Sequence, residues 1–431
     1  SLSIIIDLLI CSRLSGHSAA IALVEDADAA SPYWRQESAA RAEPIEESAI
    51  MRRRLIQILM LCLLALFTTG CWDYTELELL DFVIGAGVDA DEAGIVLVTE
   101  MAKTTGVGQE TEFEPVVLST KARTLSGAAH SLSVPAGMEA FWPHTQVFLV
   151  SEEVAREGMM AVLEHILRAW DLRSTMNLFV TKGCTAEEVL KSKPPLAAGV
   201  SQHLSSTVRL GDMRAAFVPQ QVWQFSGDLA ALGIAATLPV VQLVHVTGNL
   251  VPVVRGAGVF KKDRLVGWLD AEQTQIFGLL KGEEQRGLFV MDTTVEGETF
   301  PITYEFVHNV VEIKPRISDG NVRMQIKLEL KLGVVAAEKA NFLDRAVTNT
   351  VQEQLNRAFG RRIRELLWLV QEEYNSDIIG FGQVLMRKEP KVWRSHADDW
   401  DTHLRKLAAD IEVDCRIIFT GLRAEPFAVR N

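Results

Sequence analysis

The chain has 431 residues, 48% of them hydrophobic and 23% charged, with a formal net charge of −13 at pH 7. That length exceeds one typical core and predicts two or three domains, and the apolar content excludes a chain disordered throughout. The acidic balance excludes a nucleic-acid binder: the densest bases, Arg357, Arg361, Arg362 and Arg364, alternate with Glu353, Glu365, Glu372 and Glu373, the pattern of a solvated helix face.

Residues 1–50 are rich in Ala, Ser and acids and stand ahead of Met51, where an export signal would ordinarily start a protein. They read either as the product of a start site placed too far upstream or as a leader with Ser3 to Leu9 as its own apolar run; disorder is expected for most of them in both cases. From Met51 the chain runs through Arg52, Arg53 and Arg54 into thirteen residues, Leu55 to Phe67, of which only Gln57 is strongly polar. The run is shorter than the roughly 20 residues a membrane-spanning helix needs, so residues 51–70 read as a signal peptide. Thr68-Thr69-Gly70-Cys71 ends it in the manner of a lipoprotein processing site, with Thr68 where leucine is usual. Cys71 is then the first residue of the mature chain and carries the lipid; the competing reading makes it an ordinary cysteine. Two acyl chains at about 0.8 kcal/mol per buried methylene suffice for stable anchoring. Cys184 and Cys415, with no Cys-x-x-Cys or Cys/His spacing near them, read as small buried thiols.

Residues 71–195 alternate strand and helix and predict a mixed α/β domain. Phe82 to Asp89 is an apolar strand whose Gly85-x-Gly87-x-x-Ala90 imitates a dinucleotide-binding fingerprint. The chain then turns through Asp89 to Gly94 into a second strand, Ile95 to Met101, instead of entering a helix, so a hairpin is the better reading. Helical character follows over Thr120 to Leu132, a strand over Thr145 to Val150, an amphipathic helix over Glu152 to Trp170 capped by Ser151, and a strand over Met176 to Thr181. His144 and His165 lack partners at metal spacing. Lys193-Pro194-Pro195 breaks the rhythm, and residues 196–253, with a helix near Val200 to Leu210 and a strand over Pro239 to Val246, read as a connecting region.

Residues 254–431 predict an α+β domain: an antiparallel sheet covered by a long helix. Arg255 to Leu269 reads as strand, charged turn, strand, with a helix over Ala271 to Leu280. Val322, Met324, Ile326, Leu328, Leu330 and Leu332 alternate with polar residues, a strand with one buried face, paired to Ile302–Ile313. Lys339 to Tyr374 carries Leu343, Val347, Val351, Leu355, Phe359, Ile363, Leu367 and Val370 at helical steps, a stripe about 50 Å long at 1.5 Å per residue. Asp377 to Gly382 stops that helix, and the last strand is Ile411 to Phe419.

No Gly-x-Ser-x-Gly elbow and no paired-His metal motif is present in the sequence, so no catalytic residue, metal ligand or cofactor is assigned. The densest acid and histidine group, His396, Asp398, Asp399, Asp401 and His403, reads as a solvated helix start.

Cys71-Trp72-Asp73, the Gly85/Gly87/Asp89 strand, the Gly256-x-x-Val259-Phe260-Lys261 to Gly267 hairpin, and Asp377-Ile378-x-Gly380-Phe381-Gly382 followed by Lys391-x-Trp393 and Trp400 together resemble the Ger(x)C family, the lipoprotein C subunits of spore germinant receptors. The resemblance covers residues 51 to 425. It implies a non-enzymatic, multi-domain α+β subunit, lipid-anchored through Cys71 at the outer face of the spore inner membrane, with multi-pass A and B receptor subunits as partners and no nucleic acid. The motif glycines and tryptophans are expected in turns and core packing. The alternative from another class, a lipid-anchored solute-binding protein, would need two similar lobes around a cleft.

Overall fold

The structure, a computed structural model, describes residues 49–63 and 80–419, apart from 93, 106–111, 138, 211–215, 285, 319–320 and 338. Residues 49–63 form a helix whose side chains, Arg52, Arg53 and Arg54 included, are all exposed. Gly70, Cys71, Trp72 and Asp73 lie outside the described residues. Residues 80–419 belong to one compact unit.

Its first sheet has nine strands: β1 (Leu80–Asp91), β2 (Gly94–Thr105), β3 (Glu112–Ala122), β4 (Glu139–Phe141), β5 (Val147–Val150), β6 (Asn177–Thr181), β7 (Thr237–Val246), β8 (Asn249–Lys261) and β9 (Arg264–Leu269). They lie in the order β3-β2-β1-β5-β6-β7-β8-β9, with β4 beside the start of β1. The pairs β1–β5, β5–β6 and β6–β7 are parallel and the hairpins at both edges antiparallel. Val147 to Val150 is buried on both faces, as the uninterrupted apolar run of a central parallel strand requires.

Among the described residues seven helices accompany this sheet: α1 (Leu125–Ser131), α2 (Ser133–Ala136), α3 (Glu152–Glu157), α4 (Met160–Arg168), α5 (Ala186–Lys191), α6 (Val200–Arg209) and α7 (Val222–Ala230). One face packs Phe148, Val150, Leu178 and Leu238 against α1, α3, α4 and α7; the other packs Val147, Leu149 and Phe179 against α5 and α6.

α8 (Ala271–Leu280) leads to a second sheet, β10 (Leu288–Val295), β11 (Glu298–Ser318), β12 (Asn321–Ala337) and β13 (Ala408–Phe419), in that order. The first three are antiparallel; β13 joins β12 in parallel, which the long crossover through the helices between them allows. Those helices are α9 (Arg345–Trp368), running into a π turn at Leu369–Glu373, then α10 (Phe381–Lys388), α11 (Pro390–His396) and α12 (Trp400–Lys406). α9 lays Val347, Val351, Leu355, Phe359 and Ile363 over Met324, Ile326, Leu328 and Leu330. Each such side chain contributes about 1.5–3 kcal/mol by leaving water.

Three expected elements change. α9 is about 36 Å long at 1.5 Å per residue, because Asp344 caps it by accepting the Ala346 N–H at 2.7 Å and leaves Leu343 exposed before the cap. The helix foreseen over Glu152 to Trp170 breaks at Gly158 (φ 141°), where the Met159 N–H donates to the Asp263 carbonyl in the β8–β9 turn at 2.9 Å. Ser151 does cap its first part, accepting from the Val154 N–H. Thr120 belongs to β3, not to a helix, and helix begins only after Thr124. β3 itself is an edge strand, the one place where Pro115 costs no ladder bond.

Leu355 is fully buried between α9 and the sheet, so Leu355→Ala is expected to cost about 2–5 kcal/mol in chemical denaturation. A loss under about 1 kcal/mol would mean that α9 does not cover the sheet.

Candidate functional site

The glycine-bearing strand β1 makes room for two helices. A Cβ on Gly85 would collide with the Ser201 side chain of α6, and one on Gly87 would stand 2.7 Å from the Ala186 Cβ of α5. The same pair of strands caps those helices. Asp89 accepts the Ala186 and Glu187 N–H groups at 2.7 and 2.9 Å, and Glu100 of β2 accepts the Val200 and Ser201 N–H groups at 2.7 Å and the Ser201 hydroxyl. These carboxylates reach across about a hundred residues of sequence to satisfy backbone donors that a helix start leaves open. Burial pushes the pKa of both above the ordinary carboxylate value, and the donated hydrogen bonds oppose it. The Gly85/Gly87/Asp89 set is therefore a helix-docking device, which is why it mimics a phosphate-binding loop without being one.

The remaining motif residues meet at a second place. Asp377, in the turn after the π segment, is buried, and one of its carboxylate oxygens accepts the Gly380 and Phe381 N–H groups at 2.9 Å each. The other accepts the Gly382 N–H at 2.8 Å and the Trp400 indole N–H at 3.0 Å. Both carboxylate oxygens are thus saturated, and the start of α10 is capped. Gly380 takes φ 84°, a left-handed turn that favours glycine. A Cβ on Gly382 would lie 2.5 Å from the Gly233 Cα and 2.9 Å from the Trp393 ring, so the two backbones touch. Gln383 N–H donates to the Gly233 carbonyl at 2.9 Å, and Ala235 N–H to the Asp377 carbonyl at 2.8 Å. Trp393 and Trp400 are buried edge to face, with ring centroids 5.3 Å apart.

The β8–β9 hairpin completes this clasp. Phe260 is buried in the first sheet's core and its carbonyl accepts the Ser376 hydroxyl at 2.6 Å; the Tyr374 ring lies where a Cβ on Gly267 would be, and its hydroxyl donates to the Trp268 carbonyl at 2.9 Å. Gly256 (φ 90°) sits against the Leu269 carbonyl. Phe260, Gly267, Asp377, Gly380, Gly382, Trp393 and Trp400 thus gather at the joint between the two sheets, and Gly256 marks its edge. Sequence reasoning had singled out neither Gly233 nor Tyr374. Nothing in the local sequence points to Gly233, whereas Glu100 was legible as a lone acid inside an apolar strand.

The acid and histidine group is dispersed. Asp401 pairs with Lys261 at 2.9 Å, Asp399 precedes α12, and the His396 and His403 rings meet edge to face with centroids 4.2 Å apart; partial burial, with His396 beside it, lowers the His403 pKa. Among the described residues no group of His, Cys, Asp and Glu could hold a metal ion. Cys415 is buried and Cys184 half-buried, and both are free. His144 lies against Phe82 and Phe141, and His165 Nδ1 is 2.9 Å from the Ser126 hydroxyl.

The molecule is a mixed α/β protein of two joined sheets whose recurring polar and glycine residues hold its parts together. The family model described as "Spore germination protein N-terminal domain" matches residues 73–243, and "Spore germination B3/GerAC like, C-terminal" matches residues 255–421. Similar chains include spore germination protein KC of Bacillus subtilis (strain 168), 23% identical across 88% of this chain and 98% of that one. Spore germination protein B3 of the same organism is 23% identical across 84% and 97%. The crystal structure of the GerBC protein superposes with a TM-score of 0.51 at 19% identity, over 78% of this chain and 97% of that one. The chain belongs to the Ger(x)C family of spore germination proteins.

Gly382→Ala is expected to destabilise the protein by about 1–3 kcal/mol through forced separation of two backbones, and Trp400→Phe by about 1–3 kcal/mol through loss of one of the two hydrogen bonds donated to that buried carboxylate oxygen; thermal unfolding that leaves either variant unchanged would refute the clasp. Because burial raises the Glu100 pKa above its ordinary 4.5, the stability it contributes is present below that pH and is lost as pH rises through the folded value. Glu100→Gln should therefore flatten the melting temperature against pH above 4.5 relative to wild type.

Proposed function

We propose that this chain is the lipid-anchored subunit of a spore nutrient germinant receptor, held through acylated Cys71 at the outer face of the spore inner membrane and assembled with two multi-pass subunits. The supporting observation is the order of parts: an export-type segment, a cysteine after small residues, and directly behind it the two germination-family regions, residues 73–243 and 255–421. The exposed apolar side chains of the helix at residues 49–63 accord with a segment that a membrane or a signal peptidase receives. Among the described residues no helix is long and apolar enough to cross a membrane; the anchor is proposed as lipid on Cys71, where two acyl chains suffice. The role is sensing or assembly without catalysis: Asp377 spends both carboxylate oxygens on the backbone of residues 380–382 and on the Trp400 indole, and Asp89 caps a helix, so these motif acids are engaged within the fold. A solute-binding protein would pair two similar lobes, and these two sheets differ in strand number, order and helix cover.

In a spore-forming host, the wild-type chain should appear in the membrane fraction with an intact mass starting at a diacylated Cys71, and its spores should respond to nutrient. Cys71→Ala should leave the membrane fraction and slow the response. Equal fractionation of the two chains would refute the anchor, and unimpaired germination of spores lacking the chain would refute the receptor role.

A further inference from the structure

The strands β1, β4, β5, β6 and β7 all point the same way, so their starts define one end of the first sheet, and the chain arriving from Cys71 enters the fold there at Leu80. That end carries more strongly exposed apolar side chains than the opposite one, where Val244, Val246 and Leu250 are 41–43% exposed. Of the large apolar side chains described in residues 80–419, the three most exposed are Leu196 (98%), Trp170 (92%) and Val134 (84%). Scattered exposed apolar residues are ordinary, but these three share a location.

Each is placed there by its neighbours. Trp170 precedes β6 and lines a cavity of about 500 Å³ with Glu139 and Ala140, the residues of β4 that pair with Leu80 and Asp81. Val134 is in α2, whose Ser133 lines the same cavity. Leu196 lies in the loop whose Ala198 and Gly199 line a cavity with Phe82, Ala102 and Pro115, aligned neighbours near the start of β1. Trp223, also more than half exposed, is tied to this end through its backbone N–H, which donates to the Ser174 carbonyl at 3.0 Å. The loops before β4, β6 and α6 and the start of α7 thus each carry an apolar tip outward at one rim.

We infer that this rim rests on the lipid bilayer, with Trp170, Leu196 and Val134 entering the headgroup–acyl boundary. The inference rests on the proposed Cys71 anchor. Leu80 is nine positions after Cys71, and at no more than ~3.3–3.6 Å per residue a lipid on Cys71 keeps Leu80 within about 30 Å of the membrane. Tryptophan suits that boundary because its ring buries in apolar surroundings while its N–H stays hydrated. This end carries acids, Glu139 and Asp171, as well as the exposed bases Arg173 and Arg209, so the proposed contact is apolar insertion rather than attraction to anionic lipid. The opposite end of the sheet, at the β7–β8 hairpin, faces away from the bilayer.

The test uses the full chain, processed and reconstituted in phosphatidylcholine vesicles with brominated acyl chains, reading tryptophan quenching. Trp170→Phe should lower the lipid-quenched emission relative to wild type, and Leu250→Trp, on the β7–β8 hairpin, should not restore it. Unchanged quenching in Trp170→Phe, or restoration by Leu250→Trp, would overturn the inference. Unchanged quenching together with loss of co-purifying membrane proteins would assign the rim to a protein partner and equally overturn it. Flotation of Cys71→Ala separates the two claims. If it floats like wild type, the anchor fails while the quenching difference still decides the rim. If no chain floats, both fall.

Discussion

Backbone N–H groups at the start of a helix need acceptors, and this protein supplies them from carboxylates buried on other elements. Asp89 and Glu100 fasten α5 and α6 to the first sheet, and Asp377 caps α10 where the second half of the chain meets the loop before β7. A carboxylate taken out of water is costly unless its lone pairs are met, so each of these contacts is demanding in geometry. The glycines follow from that demand: Gly85 and Gly87 are small because the Ser201 and Ala186 side chains of the docked helices take the space of a Cβ, and Gly382 because the Gly233 backbone does.

The arrangement explains how two sheets of different design act as one body. The hairpin β8–β9 belongs to the first sheet, yet Tyr374 and Ser376 from the end of the long helix bind its backbone, and Asp377 closes the contact through Trp400. The boundary between the two family regions, near residue 250, therefore falls inside the first sheet rather than between the sheets.

Periodicity carried most of the fold. The alternation in β12, the stripe on α9 and the apolar β5 each have one packing solution, and the structure adopts it. What escaped is what depends on distant partners: the break at Gly158 answers to Asp263, the late start of α9 to Asp344 rather than to its apolar stripe, and β3 to its place at an edge that excuses Pro115. The site was legible by type but not by partner. Asp377 with its glycines and tryptophans stood out in the sequence, yet that they converge on Gly233 and the β8–β9 hairpin could not be read from spacing, because those contacts join residues more than a hundred positions apart.

The central claim is that the Asp377 clasp makes the two sheets one cooperative unit. Native-state hydrogen exchange at the Gly380, Phe381 and Gly382 amides tests it most directly. The account predicts that these amides exchange only with global unfolding, at the same free energy as the central amides of β5 and β12. Exchange by local opening, with both sheets still protected, would contradict it.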